Sequence, residues 1–354
     1  MDIAVIGAAG SVGRAVCGQL LATRVLQRSE RLQLVGRHGG ASDTGIFGLR
    51  IDLLDAYSET APQIEQVLDP AQIRADVIVM VAGDTPAADA HVATTRDDVA
   101  RTNIPVFEYY AAAIAEHGSG RELIVIQSNP VELAVDIFAR HLGRHRVVGA
   151  GSYSDSLRLR REIADDLFAA GNRPIVSGYL LGEHGPNAVP VWSSLRAAGT
   201  NPEDLQDYIR VARGHRHLSD LPAQVADARA HLSDLVSAHD GEAAFAFAAT
   251  LPPDVGALVK PWFAHWSGRT SVATAHAVVD LIAQLSSGHR MVLPLQVATQ
   301  ADDWPGINGV LGVPVDIDMS GWTRTVPLDL PADESAALLA AASAISERLA
   351  IWQA

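Results

Sequence analysis

His184 sits in Gly182-Glu183-His184-Gly185, directly after the apolar-alternating run Ile175-Val176-Ser177-Gly178-Tyr179-Leu180-Leu181. An imidazole at a strand end, with little side-chain bulk around it, can meet a small substrate. Imidazole titrates near neutrality, which suits proton exchange with a hydroxyl or carbonyl oxygen. Asp155 and Arg158 lie one helical turn apart in Asp155-Ser156-Leu157-Arg158. A carboxylate can orient an imidazole and stabilise its cation. A guanidinium can grip a carboxylate with a two-pronged fork. Acid–base group, orienting group and anion clamp are all present, provided the fold joins the two segments. In isolation the Asp155–Arg158 pair is equally what a surface i,i+3 salt bridge looks like.

A second chemical feature lies at the start. Ile6-Gly7-Ala8-Ala9-Gly10-Ser11-Val12-Gly13 follows a strand pattern and opens a helical one. Gly7 permits a tight turn, Gly10 lets the backbone approach a pyrophosphate, and Gly13 allows close helix–strand packing. Ser11 and Val12 begin the helix, whose free N–H groups favour an anion. The second strand pattern ends Leu34-Val35-Gly36-Arg37-His38. A site for NAD(H) carries Asp or Glu near here, to hold the ribose 2′-hydroxyl. Gly36 removes that carboxylate, and Arg37 and His38 are placed to hold a 2′-phosphate instead. The expected preference is NADP(H); if Arg37 is only a solvated turn residue, NAD(H) is accepted too.

These groups need a scaffold. Strand patterns at Ile3–Ile6, Leu32–Val35, Val77–Ala82, Glu122–Ile126 and Arg146–Val148 alternate with helical ones, including Val12–Thr23, Arg96–Glu116 and Pro130–Leu142. That alternation predicts βαβ units and a doubly wound, Rossmann-type parallel sheet over residues 1–150. Thr95-Arg96-Asp97-Asp98 reads as a capping box. From 151 onward an α+β pattern follows. A helix over Asp155–Ala170 leads to a strand pair flanking His184. A long His-rich helical stretch from Glu203 to Ser287, strands near Met291–Ala298 and Gly309–Ile317, and a closing helix over Asp333–Trp352 complete it. The prediction is therefore an α/β chain with a dinucleotide-binding domain at 1–150 and a substrate domain at 151–354.

The bulk properties narrow the partners. The 354 residues carry a net charge of −14, which argues against binding a phosphate backbone. No run of about 18 apolar residues exists, so no transmembrane helix is expected. The first residues form a strand pattern, so no leader of the secretory type is expected. The single cysteine, Cys17, suits a reducing cytoplasm and reads as a small buried hydrophobe. No metal is expected. The run Arg213-Gly214-His215-Arg216-His217 has usable spacing but no carboxylate or thiol in register, and reads as a solvated bend.

Together these segments resemble the lactate/malate dehydrogenase family nearly end to end. Ile6–Gly13 looks like its glycine loop and Val81-Ala82-Gly83 like its fourth-strand signature. Thr95-Arg96-Asp97-Asp98 with Asn103 resembles the helix behind its mobile loop, and Ser128-Asn129-Pro130-Val131-Glu132 its asparagine–proline motif. The Asp155–Arg160 and Gly182–Gly185 segments, Val189-Pro190-Val191-Trp192-Ser193, Gly268-Arg269-Thr270-Ser271 and Leu311-Gly312-Val313-Pro314-Val315 complete the likeness. The resemblance implies hydride transfer between a nicotinamide and a small-molecule 2-hydroxy or 2-oxo acid. It casts His184 as acid–base group, Asp155 as its orienter and Arg158 as the carboxylate clamp. It casts Arg96 as the group that polarises the carbonyl, and it places Asn129 and Thr270 at the substrate. Ala82, Gly83, Asn103 and Asn129 would border the cofactor, and a homodimer or homotetramer would be the assembly.

Two departures bear on specificity. Malate dehydrogenases carry a further arginine shortly before the position of Arg96. Here Asp84 to Thr95 holds no arginine or lysine, and Asp89 and Ala90 stand nearest to it. A desolvated aspartate there would repel a dicarboxylate by several kcal/mol, so the standard malate/oxaloacetate pair is not expected. The stretch between Trp192 and Gly268 is also longer than the family requires. It remodels either the pocket or a surface contact. Two alternatives stay open: a dinucleotide-binding paralogue with little catalysis, and a malate dehydrogenase with an unusual loop. The family's metal-dependent glycosidase relatives fit poorly, because Cys17 lies beside the nucleotide loop.

Overall fold

The computed structural model describes residues 1–39, 41–84, 95–168, 174–185, 187–263 and 270–353. Its first half follows β1 (Ile3–Ile6), α1 (Ser11–Ala22), β2 (Arg31–Val35), α2 (Ala41–Ala56), β3 (Gln63–Val67), β4 (Val77–Met80), α3 (Arg96–His117), β5 (Leu123–Ile126), α4 (Val131–Leu142) and β6 (Val147–Gly149). These strands pair in parallel in the order β3-β2-β1-β4-β5-β6. Every residue of β1, β4 and β5 is buried, as a parallel sheet covered on both faces requires. The order reverses between β1 and β4, so a crevice opens at the carboxyl ends of those strands. The glycine turn after β1 and Val81–Asp84 after β4 meet there. β3 was not foreseen. It is an edge strand with polar residues at three of its five positions, Gln63, Glu65 and Gln66, and so lacks an apolar run.

The second half follows α5 (Gly151–Asp166), β7 (Val176–Gly182), β8 (Ala188–Ala197), α6 (Pro202–Arg213), α7 (Leu221–Ser237), α8 (Gly241–Ala249), α9 (Pro253–Phe263), α10 (Ser271–Ser286), β9 (Met291–Trp304), β10 (Ile307–Asp318), β11 (Gly321–Thr325) and α11 (Ala332–Trp352). Its strands are antiparallel and continue the same sheet as β9-β10-β7-β8, with β11 on β10. Among the described residues the two halves join within the sheet through one register pair, Gly149 with Gln296, while α1 packs on α10 and one hydrophobic core runs through both. Fully buried Gln296 accepts from the Ser152 N–H at 3.0 Å and donates to Ser152 Oγ at 2.9 Å. One side chain thus ties the start of α5 to the antiparallel strands.

α5 begins at Gly151, one turn before the expected Asp155, and ends at Asp166 rather than Ala170. Asp155 and Arg158 therefore stand inside a helix, locked by Tyr153 bonding to Asp280 of α10. α11 is long and apolar enough, by length and composition, to cross a bilayer, which the sequence reading did not expect. Its alanines make it so. Here it packs with Leu338, Ala341, Ile345, Leu349 and Trp352 into the core, and its buried Glu334 accepts from the Ser193 N–H at 3.0 Å. The Arg213–His217 bend is less solvated than expected. Arg213 pairs with Asp333, and Arg216 grips Asp254 with 2.9 and 3.0 Å bonds.

Candidate active site

The nucleotide end is shaped by what glycine leaves out. Gly7 has φ +89°, and a Cβ there would lie 2.7 Å from the Ala82 backbone nitrogen. A Cβ on Gly13 would lie 2.2 Å from the Gly7 carbonyl oxygen. Gly10 would meet only that same oxygen, at 3.3 Å, so its outer face is open. α1 starts at Ser11 with no side-chain cap and no acid in its first turn. The N–H groups of Ser11, Val12 and Gly13 thus face an uncontested, electropositive helix end that fits a pyrophosphate.

At the end of β2, a Cβ on Gly36 would stand 2.3 Å from Ile46 Cδ1 and 3.2 Å from Ser42 Oγ, both on α2. A side chain at that position would have to displace the end of the Ile46 side chain. Arg37 and His38 beyond it are exposed. His38 lies 3.4 Å from Asp43, whereas Arg37 makes no ion pair among the described residues.

A cavity of about 200 Å³ continues from this end. Val12, Ala82, Gly83, Asn129, Asp155, Arg158, His184 and Thr270 all line it, so the fold joins segments far apart in the chain. His184 stands in the β7–β8 turn, pressed against the first residue of α5. A Cβ on Gly151 would lie 2.7 Å from the His184 ring, so only glycine lets helix and imidazole approach this closely. His184 Nδ1 meets Asp155 Oδ2 at 2.8 Å, and the Gly185 N–H donates to the same oxygen at 3.3 Å. Arg158 Nη1 donates to Asp155 Oδ1 at 2.8 Å. With Nδ1 held, His184 has its other ring nitrogen left for a substrate.

Burial by itself would raise the Asp155 carboxyl. The His184 charge and hydrogen bond, with Arg158, outweigh it and hold the group below the usual carboxylate range. A depressed carboxyl stabilises the fold above its unfolded value of about 3.9, and that contribution is lost as pH falls through the folded value. Asp155→Asn is therefore expected to flatten the acid limb of a urea-midpoint profile. A variant profile parallel to wild type down to about pH 2 would remove Asp155 from the acid response.

Arg96 is not among the residues lining the cavity. Its guanidinium bonds Glu132 at 2.9 Å and also contacts Glu183, behind His184. Arg348 of α11 contacts the same Glu183 oxygen. Both carboxylates are fully buried, and Glu132 also accepts from the His184 N–H at 2.6 Å. Burial pushes the Glu132 carboxyl up against the pull of Arg96, and neighbouring Glu183 adds to the rise. Arg96 thus supports the turn that carries His184 in this structure, rather than facing a substrate.

Asn103 likewise supports rather than faces the cofactor region. It is fully buried, accepts from the Asp84 N–H at 2.7 Å and donates to the carbonyls of Asp84 at 2.9 Å and Asn129 at 2.7 Å. Thr270 occupies the N-cap position of α10 without capping it; its hydroxyl lies 3.3 Å from that of Thr274, also at the cavity. Asp89, Ala90, Gly268 and Arg269 lie outside the described residues. Cys17 is fully buried with its thiol pushed up to about 12 by burial, as fits a core hydrophobe. Five lining residues were not anticipated: Gln127, Thr274 of α10, and Arg229 of α7 with Leu258 and Pro261 of α9. The last three come from the stretch between Trp192 and Gly268, so that stretch does border the cavity. A lone arginine in a helical pattern gave no signal of this, because such residues usually face solvent.

Comparison with known proteins follows the same lines. Residues 1–149 match the family model described as "lactate/malate dehydrogenase, NAD binding domain". A malate dehydrogenase of Methanosphaera stadtmanae is 23% identical over 351 residues, covering 98% of this chain and 96% of its own. An L-lactate dehydrogenase of Treponema denticola is 26% identical over 276 residues, covering 77% and 75%. Among solved structures, malate dehydrogenase of Cryptosporidium parvum superposes with a TM-score of 0.73 at 17% identity, over 99% of this chain and 98% of that one. The minor L-lactate dehydrogenase of Enterococcus mundtii gives 0.73 at 21% identity, over 99% and 98%. A nicotinamide-binding half, a doubly wound sheet and this likeness along the chain converge: the protein is a lactate/malate dehydrogenase-like oxidoreductase, and its residues 1–149 match that family's NAD-binding domain.

Proposed function

We propose that the chain is an NAD(P)-dependent 2-hydroxy acid dehydrogenase, with NADP(H) preferred and a substrate pair other than malate and oxaloacetate. The observation that carries this reading is the His184–Asp155–Arg158 set lining one cavity with Val12 of the glycine turn. The nicotinamide, when bound, supplies or accepts the hydride. In reduction, His184 gives its proton to the carbonyl oxygen as hydride reaches the carbonyl carbon; in oxidation it takes that proton back. Asp155 holds the imidazole by Nδ1 and stabilises its cation. Arg158, anchored on Asp155, presents its remaining donors to the substrate carboxylate. Asn129 and Thr270 border the substrate, and Gly7, Gly10, Ser11, Val12, Gly13, Ala82 and Gly83 border the cofactor.

The division at 1–150 and 151–354 is supported by the change from parallel to antiparallel pairing at β6. A homodimer or homotetramer in a reducing cytoplasm completes the reading. The absence of arginine and lysine from Asp84 to Thr95 supports a non-standard substrate. The dinucleotide-binding paralogue draws support from Arg96, which is held away from the cavity.

A panel of 2-oxo acids assayed with NADPH and with NADH separates these readings. Turnover of at least one acid is expected, with the lower KM for NADPH. Arg37→Ser should raise the NADPH KM by about tenfold, the loss of one charged hydrogen bond, with little effect on NADH. A wild-type preference for NADH would overturn the cofactor assignment. No turnover across the panel, with cofactor binding intact, would favour the paralogue.

A further inference from the structure

Arg229 projects from α7 into the cavity shared by His184 and Arg158. Burial pulls its guanidinium down, and no charged group is set against it. Its Nη2 donates to the Leu258 carbonyl at 3.3 Å, and its Nε is buried without a hydrogen-bond partner. Four other part-buried guanidiniums are answered by acids: Arg96 by Glu132 and Glu183, Arg158 by Asp155, Arg216 by Asp254, Arg144 by Asp303. Arg160, also pulled down by burial, bonds the Gly178 carbonyl and does not line the cavity. Among the described residues Arg229 has no such acid. A guanidinium out of water with unsatisfied donors is costly, and an arriving anion recovers that cost.

We propose that Arg229 is a second anion clamp, and that the substrates are 2-oxo acids bearing a distal carboxylate or similar anion. This rests on the dehydrogenase reading above and narrows its substrate class. Arg158 holds the carboxylate next to the reacting carbon, and Arg229 holds the far end. The charge missing between Asp84 and Thr95 is thus supplied by a helix of the lengthened stretch, so the distal anion is met on the α7–α9 side of the cavity. Arg229 selects the substrate and takes no part in moving the proton.

The test uses size-matched pairs: oxaloacetate with 2-oxopentanoate, and 2-oxoglutarate with 2-oxohexanoate. In wild type, kcat/KM for the better dianion is expected to exceed that of its monoanionic partner by about 100-fold. Arg229→Gln should collapse that ratio to within about threefold, and Arg229→Lys should keep part of it. Because no acid is stranded, Arg229→Gln should melt no lower than wild type. A wild type indifferent to the distal charge, or a Gln variant that slows both members of a pair equally, overturns the proposal. Calorimetric binding of succinate and butyrate to the cofactor-saturated protein keeps the two readings apart. If no acid turns over but succinate binds selectively and only with Arg229 present, the clamp stands and the dehydrogenase reading falls. If succinate gains nothing over butyrate, the clamp falls. Oxaloacetate as the best Arg229-dependent substrate would uphold the clamp and refute only the non-standard substrate.

Discussion

His184→Gln is expected to lower kcat in both directions by about a thousandfold, within the range general acid–base catalysis supplies. Glutamine approximates the reach of the imidazole and can still bond Asp155, so the cavity keeps its shape. It cannot deliver or accept a proton near neutrality, so the carbonyl oxygen loses its proton source as hydride arrives. Cofactor affinity should not change, because the glycine turn and the α1 terminus lie at the other end of the cavity. The pH dependence of the remaining rate should also flatten, since the side chain that exchanges the proton is gone. Steady-state kinetics, with cofactor binding followed by fluorescence, checks both halves. Activity within tenfold of wild type would remove His184 from the reaction. Loss of cofactor binding together with activity would mean that the substitution had damaged the fold.

How far the sequence reveals this site depends on how local each signal is. Gly182-Glu183-His184-Gly185 and Asp155-Ser156-Leu157-Arg158 are short, and each carries its own spacing, so pairing His184 with Asp155 needed only the fold to join two segments. The glycine turn was legible for the same reason. The start of α5 was not, because its N-cap, Ala150, makes no side-chain cap bond and Gly151 is a poor helix former. Only the contact with the His184 ring explains that glycine. β3 hid because an edge strand can carry polar residues on most of its length. Arg229 hid because nothing in a helical pattern tells a buried guanidinium from a solvated one. The ionic cluster around Arg96 hid most completely. Glu132, Glu183 and Arg348 come from α4, the β7–β8 turn and α11, and no spacing rule links them.

That cluster sets the last expectation. Arg96→Gln should destabilise the protein by about 3–5 kcal/mol, the usual effect of removing one partner from a buried ion pair. Glu132 and Glu183 are both fully buried, and Arg348 reaches Glu183 but makes no bond to Glu132. The variant therefore leaves Glu132 with only the His184 N–H and a like charge beside it. Its carboxyl, already raised, rises further, so the variant takes up a proton on folding. A folded group with a raised carboxyl stabilises at low pH and loses that contribution as pH climbs through its folded value. The deficit of Arg96→Gln should thus be largest at neutral and alkaline pH and shrink on acidification. Arg96→Gln combined with Glu132→Gln should recover much of the loss, because a neutral amide pair needs no counter-charge. Urea unfolding of the four proteins between about pH 5 and 8 measures all of this. Activity should fall as well, through displacement of the His184 turn, but the double variant should recover part of it. The role implied by the family resemblance gives the opposite pattern. If Arg96 swings to the carbonyl during turnover, Arg96→Gln unfolds at the wild-type midpoint and loses kcat, and Glu132→Gln rescues nothing. Rescue by a residue that never meets substrate is therefore what separates an arginine that holds the turn from one that acts on the substrate.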